Sequence, residues 1–341
     1  MPAMSEIIKL NLTVSSASVT RQGFNSILLV GDETMINSAV FTEEHMVKEY
    51  VNFESIGTDI SGDLLDMALI AFGQTPSVTR VYVSYVDTEG SSAGILTSDL
   101  LAIQANSNDW FGYCSTFNTD SDITVQMGFL GTNDKYGSFL KKDSVAVSGA
   151  SNYAALWHTK TASGSAQWVN VAWLSTVLAL TPGSYTGAFL QLQLVDPSTY
   201  TSTEETALRA AAINQFSAIG GVNVTWNGVS ATGGTNWADI YIGAVYLQVR
   251  MMEDLANLLI QSLKVPLNDS GIAQVEGVMK RRLDQSTTDG YLDPERPFVI
   301  AVPDASELTD RASRVLPNVG FTAFASVGIQ VIEIQGLIDA T

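Results

Sequence analysis

The clearest short-range pattern of hydrophobic and polar positions lies at the two ends of the chain. Near the N-terminus apolar residues alternate strictly with polar ones, and the apolar set is Ile8, Leu10, Leu12 and Val14. This period of two predicts a strand with one buried face. A second extended apolar segment, residues 328–334, contains Ile329, Val331, Ile332 and Ile334. A strand without a local partner must either return to a distant sheet edge or join the sheet of another molecule.

The first half of the chain between these ends alternates strand-like and helix-like stretches. Strands are predicted at 27–30, near 47–53, at 80–86 and near 110–117, and helices at about 61–72 and 98–105. Strands interleaved with helices of this length predict an α/β sheet.

The second half continues the alternation. A helix is predicted from Thr203, as its N-cap, through Phe216, because Glu204 and Glu205 fall in the first turn and Gly220-Gly221 follow. Further helices are predicted at about 245–263, 270–283 and 306–315, and strands at 222–226, 297–302 and within 321–334.

The amino-acid composition suggests that this protein assembles with other subunits. The 341 residues suggest about two domains. Only 15% of residues are charged, whereas an ordinary soluble chain has about 25%. The hydrophobic fraction is 46% and the mean hydropathy is +0.16. A monomer of this size needs a denser charged shell, so part of the surface is expected to be interface.

The charge balance argues against nucleic acid as a direct partner. The formal net charge is −18, and the longest basic stretch is Lys280-Arg281-Arg282. Phosphate binding needs clustered cations. That stretch fits a solvated helix face, with contact to an acidic partner as the alternative. The single cysteine, Cys114, excludes an internal disulfide framework and is expected to be a small buried residue.

A membrane segment is conceivable only in residues 161–195, which contain no charged side chain. Pro182-Gly183 interrupts this stretch, and its longest plausible helix, about 165–180, is too short and too polar to span a bilayer. The stretch therefore predicts a buried core helix and no membrane insertion. No secretory signal is expected at the N-terminus.

Catalytic motifs are weak. Gly90-Ser91-Ser92-Ala93-Gly94 matches the nucleophile pattern of serine hydrolases, and His158 follows it in the chain. The pattern requires the serine on a sharp turn directly after a strand, but Asp87-Thr88-Glu89 intervene. A flexible loop is the preferred interpretation, and a serine hydrolase using Ser92 and His158 is a remote alternative.

Metal and cofactor motifs are weaker still. Asn118, Asp120 and Asp122 imitate the start of a calcium loop, but Ile123 and Phe129 replace the glycine and glutamate that such a loop needs. His45 is distant from His158 in sequence, and no phosphate-binding fingerprint occurs. We therefore expect no cofactor, no metal and no enzymatic activity.

With catalysis weak and both ends strand-like, the chain resembles the contractile tail sheath proteins of bacteriophages, of the myovirus type. The segments that carry the resemblance are Ile27-Leu28-Leu29-Val30-Gly31, Ala71-Phe72-Gly73-Gln74-Thr75-Pro76, Asn108-Asp109-Trp110-Phe111-Gly112, Ala154-Ala155-Leu156-Trp157, Pro182-Gly183-Ser184, Gly221-Val222-Asn223-Val224, Asn236-Trp237-Ala238-Asp239-Ile240 and Thr309-Asp310-Arg311-Ala312-Ser313-Arg314-Val315-Leu316-Pro317.

The resemblance implies a mixed α+β, two-domain subunit with mixed sheets flanked by helices. It divides the chain into an N-terminal strand arm (1–22), an N-terminal α/β domain (23–195), a C-terminal α/β core domain facing the tube (196–326) and a C-terminal strand arm (327–341). In that family the arms complete sheets in neighbouring subunits. A helix before the last strand grips the inner tube, which by position is 306–315, with Arg311 and Arg314 as the candidate tube contacts.

The function implied is that of a structural subunit of a phage tail sheath. Such subunits form hexameric rings stacked helically around the tail tube protein, with baseplate and tail terminator proteins as further partners. They assemble in the host cytoplasm, remain in the virion, and contract to drive the tube through the host envelope during genome ejection. Another virion structural protein, such as a tail tube or baseplate component, is the alternative.

Overall fold

One eight-stranded mixed sheet organises most of the described residues, which are 23–87 and 94–331 of the computed structural model. The strand order is β2-β3-β1-β4-β5-β6-β7-β8. The six inner strands are parallel, and the edge strands β2 and β8 run antiparallel to their neighbours. The strands are β1 Ser26–Asp32, β2 Lys48–Tyr50, β3 Arg80–Val86, β4 Gly112–Ser115, β5 Tyr136–Lys141, β6 Ala154–His158, β7 Ile213–Ile219 and β8 Val222–Trp226.

Helices cover both faces of this sheet. Helices α1, α4 and the first half of α6 pack on one face, and α2, α3 and α5 pack on the other, while α7 packs against α6. The helices are α1 Gly62–Phe72, α2 Thr97–Asn106, α3 Asp120–Thr132, α4 Val169–Ala179, α5 Ser202–Ala210, α6 Ala238–Gln261 and α7 Asp269–Thr288. This architecture confirms the predicted mixed α/β fold.

Burial on both faces explains why the inner strands are continuous apolar runs rather than alternating ones. In β1, Ile27 and Leu29 join the core under α1 and α4, whereas Leu28 and Val30 join the core under α2 and α3. Cys114 in β4 is fully buried, as predicted.

Helix α4 is the uncharged core helix that the sequence predicts. Every residue from Val169 to Leu178 is buried. Its Trp173 stacks against Trp157 of β6, with ring centroids 5.1 Å apart, and donates a hydrogen bond from Nε1 to Gly187 O at 3.0 Å. Across residues 23–87 and 94–331, no helix is long and apolar enough to cross a bilayer.

An irregular connection, residues 180–201, crosses the molecule after α4. Gln193 and Gln74 exchange two hydrogen bonds, Gln193 N to Gln74 Oε1 at 3.0 Å and Gln74 Nε2 to Gln193 O at 2.9 Å. Further along, the Phe189 N–H donates to Thr225 O at 2.8 Å. The connection thereby covers part of the outer edge of strand β8.

The predicted helix 203–216 is wrong in its second half. Helix α5 begins two residues earlier, in a capping box in which Thr201 Oγ1 accepts from Glu204 N and Glu204 accepts from Thr201 N. It ends before Ala212, which adopts a left-handed φ of 57°. Ile213 then starts strand β7, which pairs with buried β6. The glycine pair predicted as a helix end is the turn of the β7–β8 hairpin.

Other elements differ from the prediction in extent. Helix α3 begins at Asp120, with Thr119 as its N-cap, within the stretch that imitates a calcium loop. Strands β5 and β6 were not predicted. Helix α6 starts at Ala238 rather than near 245, so its buried residues include Ile242 and Gly243.

The predicted helix 306–315 is also wrong. A short 3₁₀ turn, Ala305–Glu307, and a turn at 311–314 occupy this stretch. Only Ala305 and Leu308 are buried there, so no apolar stripe of helical period packs against the body. A separate two-stranded sheet, β9 Val299–Ala301 and β10 Gly320–Thr322, flanks this loop.

The division between residues 195 and 196 stays a prediction. Strands β6 and β7, which lie on either side of it, pair in the same sheet. The proposed boundary therefore does not coincide with an edge of that sheet.

We predict that Asn214→Ala lowers the free energy of unfolding by about 2–4 kcal/mol. The fully buried Asn214 amide donates to Leu156 O and Val229 O and accepts from the N–H groups of Gly228 and Val229, at 2.8–3.0 Å. The substitution leaves these backbone groups without partners. Urea unfolding measures the change.

Asn223→Ala is the matched control, because Asn223 lies exposed on the adjacent strand β8. We expect a change within about 0.5 kcal/mol for this variant. Equal losses in the two variants would contradict a structural role for the Asn214 hydrogen bonds.

Candidate assembly surfaces

The last described residues, 324–331, form an extended strip that we call the C-terminal segment. Asp293 N–H donates to Phe324 O at 2.9 Å, and Ser326 N–H donates to Tyr291 O at 2.9 Å. Leu292 and Ala325 form an isolated antiparallel bridge between them. Backbone hydrogen bonds therefore hold the beginning of the segment against the loop that follows α7.

Apolar side chains of the segment point away from the subunit. Val327, Ile329 and Val331 are 68%, 78% and 67% exposed. Three β-branched side chains at a spacing of two, on one side of an extended chain, form an outward apolar stripe. Burying such a stripe in a neighbour stabilises by about 25 cal/mol per Å² of apolar area.

The intervening residues face the subunit. Gly328 lies against Thr186 so closely that a Cβ atom at position 328 would collide with the Thr186 methyl group. Gln330 donates from Nε2 to Asn227 O at 3.1 Å. The subunit thus holds the segment through a glycine and polar groups, and the apolar stripe is left free.

This geometry bears on the predicted arm residues. Ile329 and Val331 are exposed as a donor strand requires, and their contact with other subunits stays a prediction. Val327 lies within the predicted arm, 327–341, but is not among its predicted contact residues, although its period-two spacing to Ile329 and Val331 is visible in the sequence. The other predicted arm residues, Ile8, Leu10, Leu12, Val14, Ile332 and Ile334, lie outside the described residues.

The small β9–β10 sheet is the second candidate surface. Its register pairs Phe321 with Ile300 and Thr322 with Val299, and both Val299 and Phe321 are exposed. Among the strands of the described ranges, β9 and β10 pair only with each other. A two-stranded sheet is marginal alone and gains from added strands.

The structure places the predicted tube contacts in the exposed loop between β9 and β10. Arg311 donates from Nη2 to Ala305 O at 2.6 Å, so its guanidinium helps hold this loop. Arg314 is exposed and adopts a left-handed φ of 57°. Both side chains lie on the same turn, and their contact with a tube stays a prediction.

The basic run in α7 is mostly neutralised by the chain's own carboxylates. Arg282 pairs with Asp254 of α6 at 2.6 Å, and Lys280 pairs with Asp284 at 3.0 Å. This arrangement fits the solvated helix face that the sequence favours over an acidic partner.

The residues considered for catalysis have structural contacts. His158 Nδ1 lies 3.0 Å from Tyr200 Oη, and the Tyr200 hydroxyl donates to His158 O at 3.0 Å. Burial lowers the pKa of His158. Ser92, the other member of the hydrolase alternative, lies outside the described residues.

The calcium-like residues also have partners inside the fold. Asn118 Oδ1 accepts from Leu140 N at 3.1 Å, Asp120 pairs with Lys141, and Asp122 accepts from Ile95 N at 3.1 Å. Within residues 23–87 and 94–331, no group of three or more His, Cys, Asp and Glu side chains is placed to hold a metal ion.

We predict that the double variant Ile329→Asp/Val331→Asp unfolds in urea with the same free energy as the parent, within about 0.5 kcal/mol. Both side chains are exposed, so their replacement removes no packing from the isolated subunit. A loss of more than about 2 kcal/mol would show that the stripe packs on its own subunit.

Solved structures that resemble this chain do so over nearly its whole length. A chain of the cryo-EM structure of the anti-feeding prophage baseplate has a TM-score of 0.72 at 12% identity, covering 97% of this chain and 98% of that one. A chain of the anti-feeding prophage helical sheath in its contracted state has a TM-score of 0.68 at 11% identity, covering 98% of both.

The contracted sheath complex of PVC, an extracellular contractile injection system, contains a chain with a TM-score of 0.66 at 13% identity. That match covers 98% of this chain and 96% of the other. No protein-family model and no curated protein sequence matches. The chain therefore has the fold of contractile sheath proteins.

Proposed function

We propose that this chain is the structural subunit of a contractile sheath. The observation that carries the proposal is the match to subunits of two contracted sheaths over 96–98% of each chain. A likeness of this extent includes the peripheral C-terminal part as well as the central sheet. The low charged fraction of 15% supports it, because interface replaces part of the solvated surface in a lattice.

Subunits are linked by exchanged strands. The C-terminal segment offers a free apolar stripe, and the alternating N-terminal residues 8–14 offer a second one. The β9–β10 sheet is the acceptor that fits, because it is small, exposed and open to further strands. Each added strand contributes about 1 kcal/mol net per main-chain hydrogen bond, so five or six bonds give about 5 kcal/mol.

The assembled sheath surrounds a tail tube in helically stacked hexameric rings. Arg311 and Arg314 contact the tube, and the ends of the sheath meet baseplate and terminator proteins. The subunit has no chemistry of its own; the work comes from a metastable extended lattice that relaxes to a contracted one. In this proposal the sheath belongs to a bacteriophage virion and drives the tube through the host envelope during genome delivery.

A sheath of an extracellular contractile injection system is the second candidate, favoured by the likeness to the PVC sheath. Immunogold microscopy of native particles with an antibody to this chain separates the two. Labelled tails attached to DNA-filled capsids support the phage proposal, and labelled particles without capsids support the second candidate.

We predict that the purified parent protein forms tubes or rings at high concentration in negative-stain micrographs. The variant Ile329→Asp/Val331→Asp stays subunit-sized, because each arm would bury two carboxylates in a neighbour. Val145→Asp is the control, since it places a carboxylate on an exposed apolar position in the loop between β5 and β6. A parent that stays monomeric contradicts the sheath proposal, and assembly of the double variant contradicts strand exchange through the C-terminal segment.

We also predict that deletion of residues 1–14 leaves a folded protein that does not form tubes. Circular dichroism and a cooperative thermal transition check folding, and sedimentation checks assembly. Tube formation by the truncated chain at the parent's concentration would show that the N-terminal strand is not a structural link.

A further inference from the structure

A cavity of about 230 Å³ lies beneath the C-terminal segment. Its walls come from the first turn of α6, the 180–201 connection, the end of α7 and the segment itself. Ser326, Val327 and Gly328 form the wall on the solvent side, where all three residues are exposed. A change in the water that fills this cavity therefore affects residues of the segment itself.

Two polar groups that line this cavity, Asp239 and Tyr185, are poorly solvated. Asp239, in the first turn of α6, is partly buried, and this burial raises the pKa of its carboxyl group to about 6 despite backbone N–H donors at positions 239 and 240. The Tyr185 hydroxyl is buried and has no hydrogen-bond partner in the described parts of the chain. A neutral Asp239 carboxyl adds an O–H donor to the cavity, whereas the carboxylate requires water.

Tyr291 connects this cavity to the segment. Its hydroxyl donates to Ile240 O at 2.8 Å, and its backbone oxygen accepts the Ser326 N–H at 2.9 Å. Its ring lies so close to Gly243 of α6 that any side chain at position 243 would collide with it. Tyr291 therefore links the start of α6 to the backbone hydrogen bonds that hold the segment, which we call the seam.

The titratable groups that face Asp239 from the surrounding elements are phenols. They are Tyr185 from the connection, Tyr291 from the loop that follows α7 and Tyr136 from β5. Burial raises the pKa of Tyr136, Tyr185 and Tyr291 above the ordinary value of a phenol. Those three groups stay neutral between about pH 5 and pH 8, so Asp239 is the group that titrates there.

We propose that the protonation state of Asp239 controls how tightly the subunit holds its C-terminal segment. When the carboxyl group is neutral, Asp239 stays partly buried in this half-open cavity and the segment is held along its seam, which is the closed form. When the group is ionised, more water is needed to solvate the carboxylate, the Ser326–Gly328 wall loosens, and the opened form with a released segment is populated more often.

The direction of the pH effect on opening follows from the difference in the pKa of Asp239 between the two forms. The closed form has the raised pKa, about 6, and an opened form in which water reaches the carboxylate has a pKa near the ordinary 3.8. The opened form is thus favoured increasingly as pH rises through this range. Between about pH 5 and pH 7.5, these two values give an increase of about tenfold in the opening equilibrium.

Hydrogen exchange of the full-length protein, kept below its assembly concentration, tests this proposal. The reporters are the amides of Ser326 and Asp293, whose hydrogen bonds form the seam. After correction for the intrinsic exchange rate at each pH, we expect their protection to fall about tenfold from about pH 5 to pH 7.5. In Asp239→Asn the protection should be independent of pH.

Asp134→Asn is the matched control, because Asp134 is another partly buried carboxylate with a raised pKa, and it lies between α3 and β5. This variant should keep the parent's pH dependence. Asp239→Ser provides a second neutral residue at the start of α6 in case the asparagine variant folds poorly. Equal protection of the parent at both pH values, or an unchanged pH dependence in both Asp239 variants, would overturn the proposal.

Discussion

The structure depends on the burial of both faces of a sheet whose inner strands are parallel. The chain that forms this sheet has few charged residues. Helix α4 meets this constraint on one face, since it lies among β-strands, α1 and the irregular connection with every residue from Val169 to Leu178 inside. This position explains why residues 161–195, 35 in all, contain no charged side chain: they include the helix and most of the connection that covers it. The same connection covers part of the edge of β8, so one stretch of chain both buries the helix and protects part of a sheet edge.

The parts of the fold that could be predicted are those whose local pattern agrees with their surroundings. Strand β3 matches its predicted range, 80–86, and α1 begins within one residue of its own. Prediction failed where the surroundings override the local pattern. Ile213–Ile219 continues a helix-like run, but a left-handed Ala212 and a place beside β6 make it a strand. Residues 306–315 were predicted as a helix, but Leu308 is their only buried residue, so no apolar stripe of helical period stabilises a helix there.

The candidate surfaces also include some features that the sequence predicts and others that only the fold creates. The two terminal apolar segments were visible in the sequence, because period-two alternation is a local property. The cavity under the segment could not be predicted, because Tyr185, Asp239 and Tyr291 are brought together only by the fold.

The pairing of basic side chains with carboxylates of the same chain could not be predicted from the sequence either. Within the described parts of the chain, seven basic residues bind carboxylates of the same chain: Lys48, Arg80, Lys141, Lys160, Arg250, Lys280 and Arg282.

The close contact between Gly328 and Thr186 has a consequence for lattice order. A slip of the segment by one residue in either direction would place Val327 or Ile329 against Thr186, where a Cβ atom does not fit. The subunit's own body therefore sets the phase of the outward stripe before any neighbour arrives. Every copy then presents its side chains in the same register. The regularity of a helical array built from such copies therefore depends on the absence of a Cβ atom at position 328.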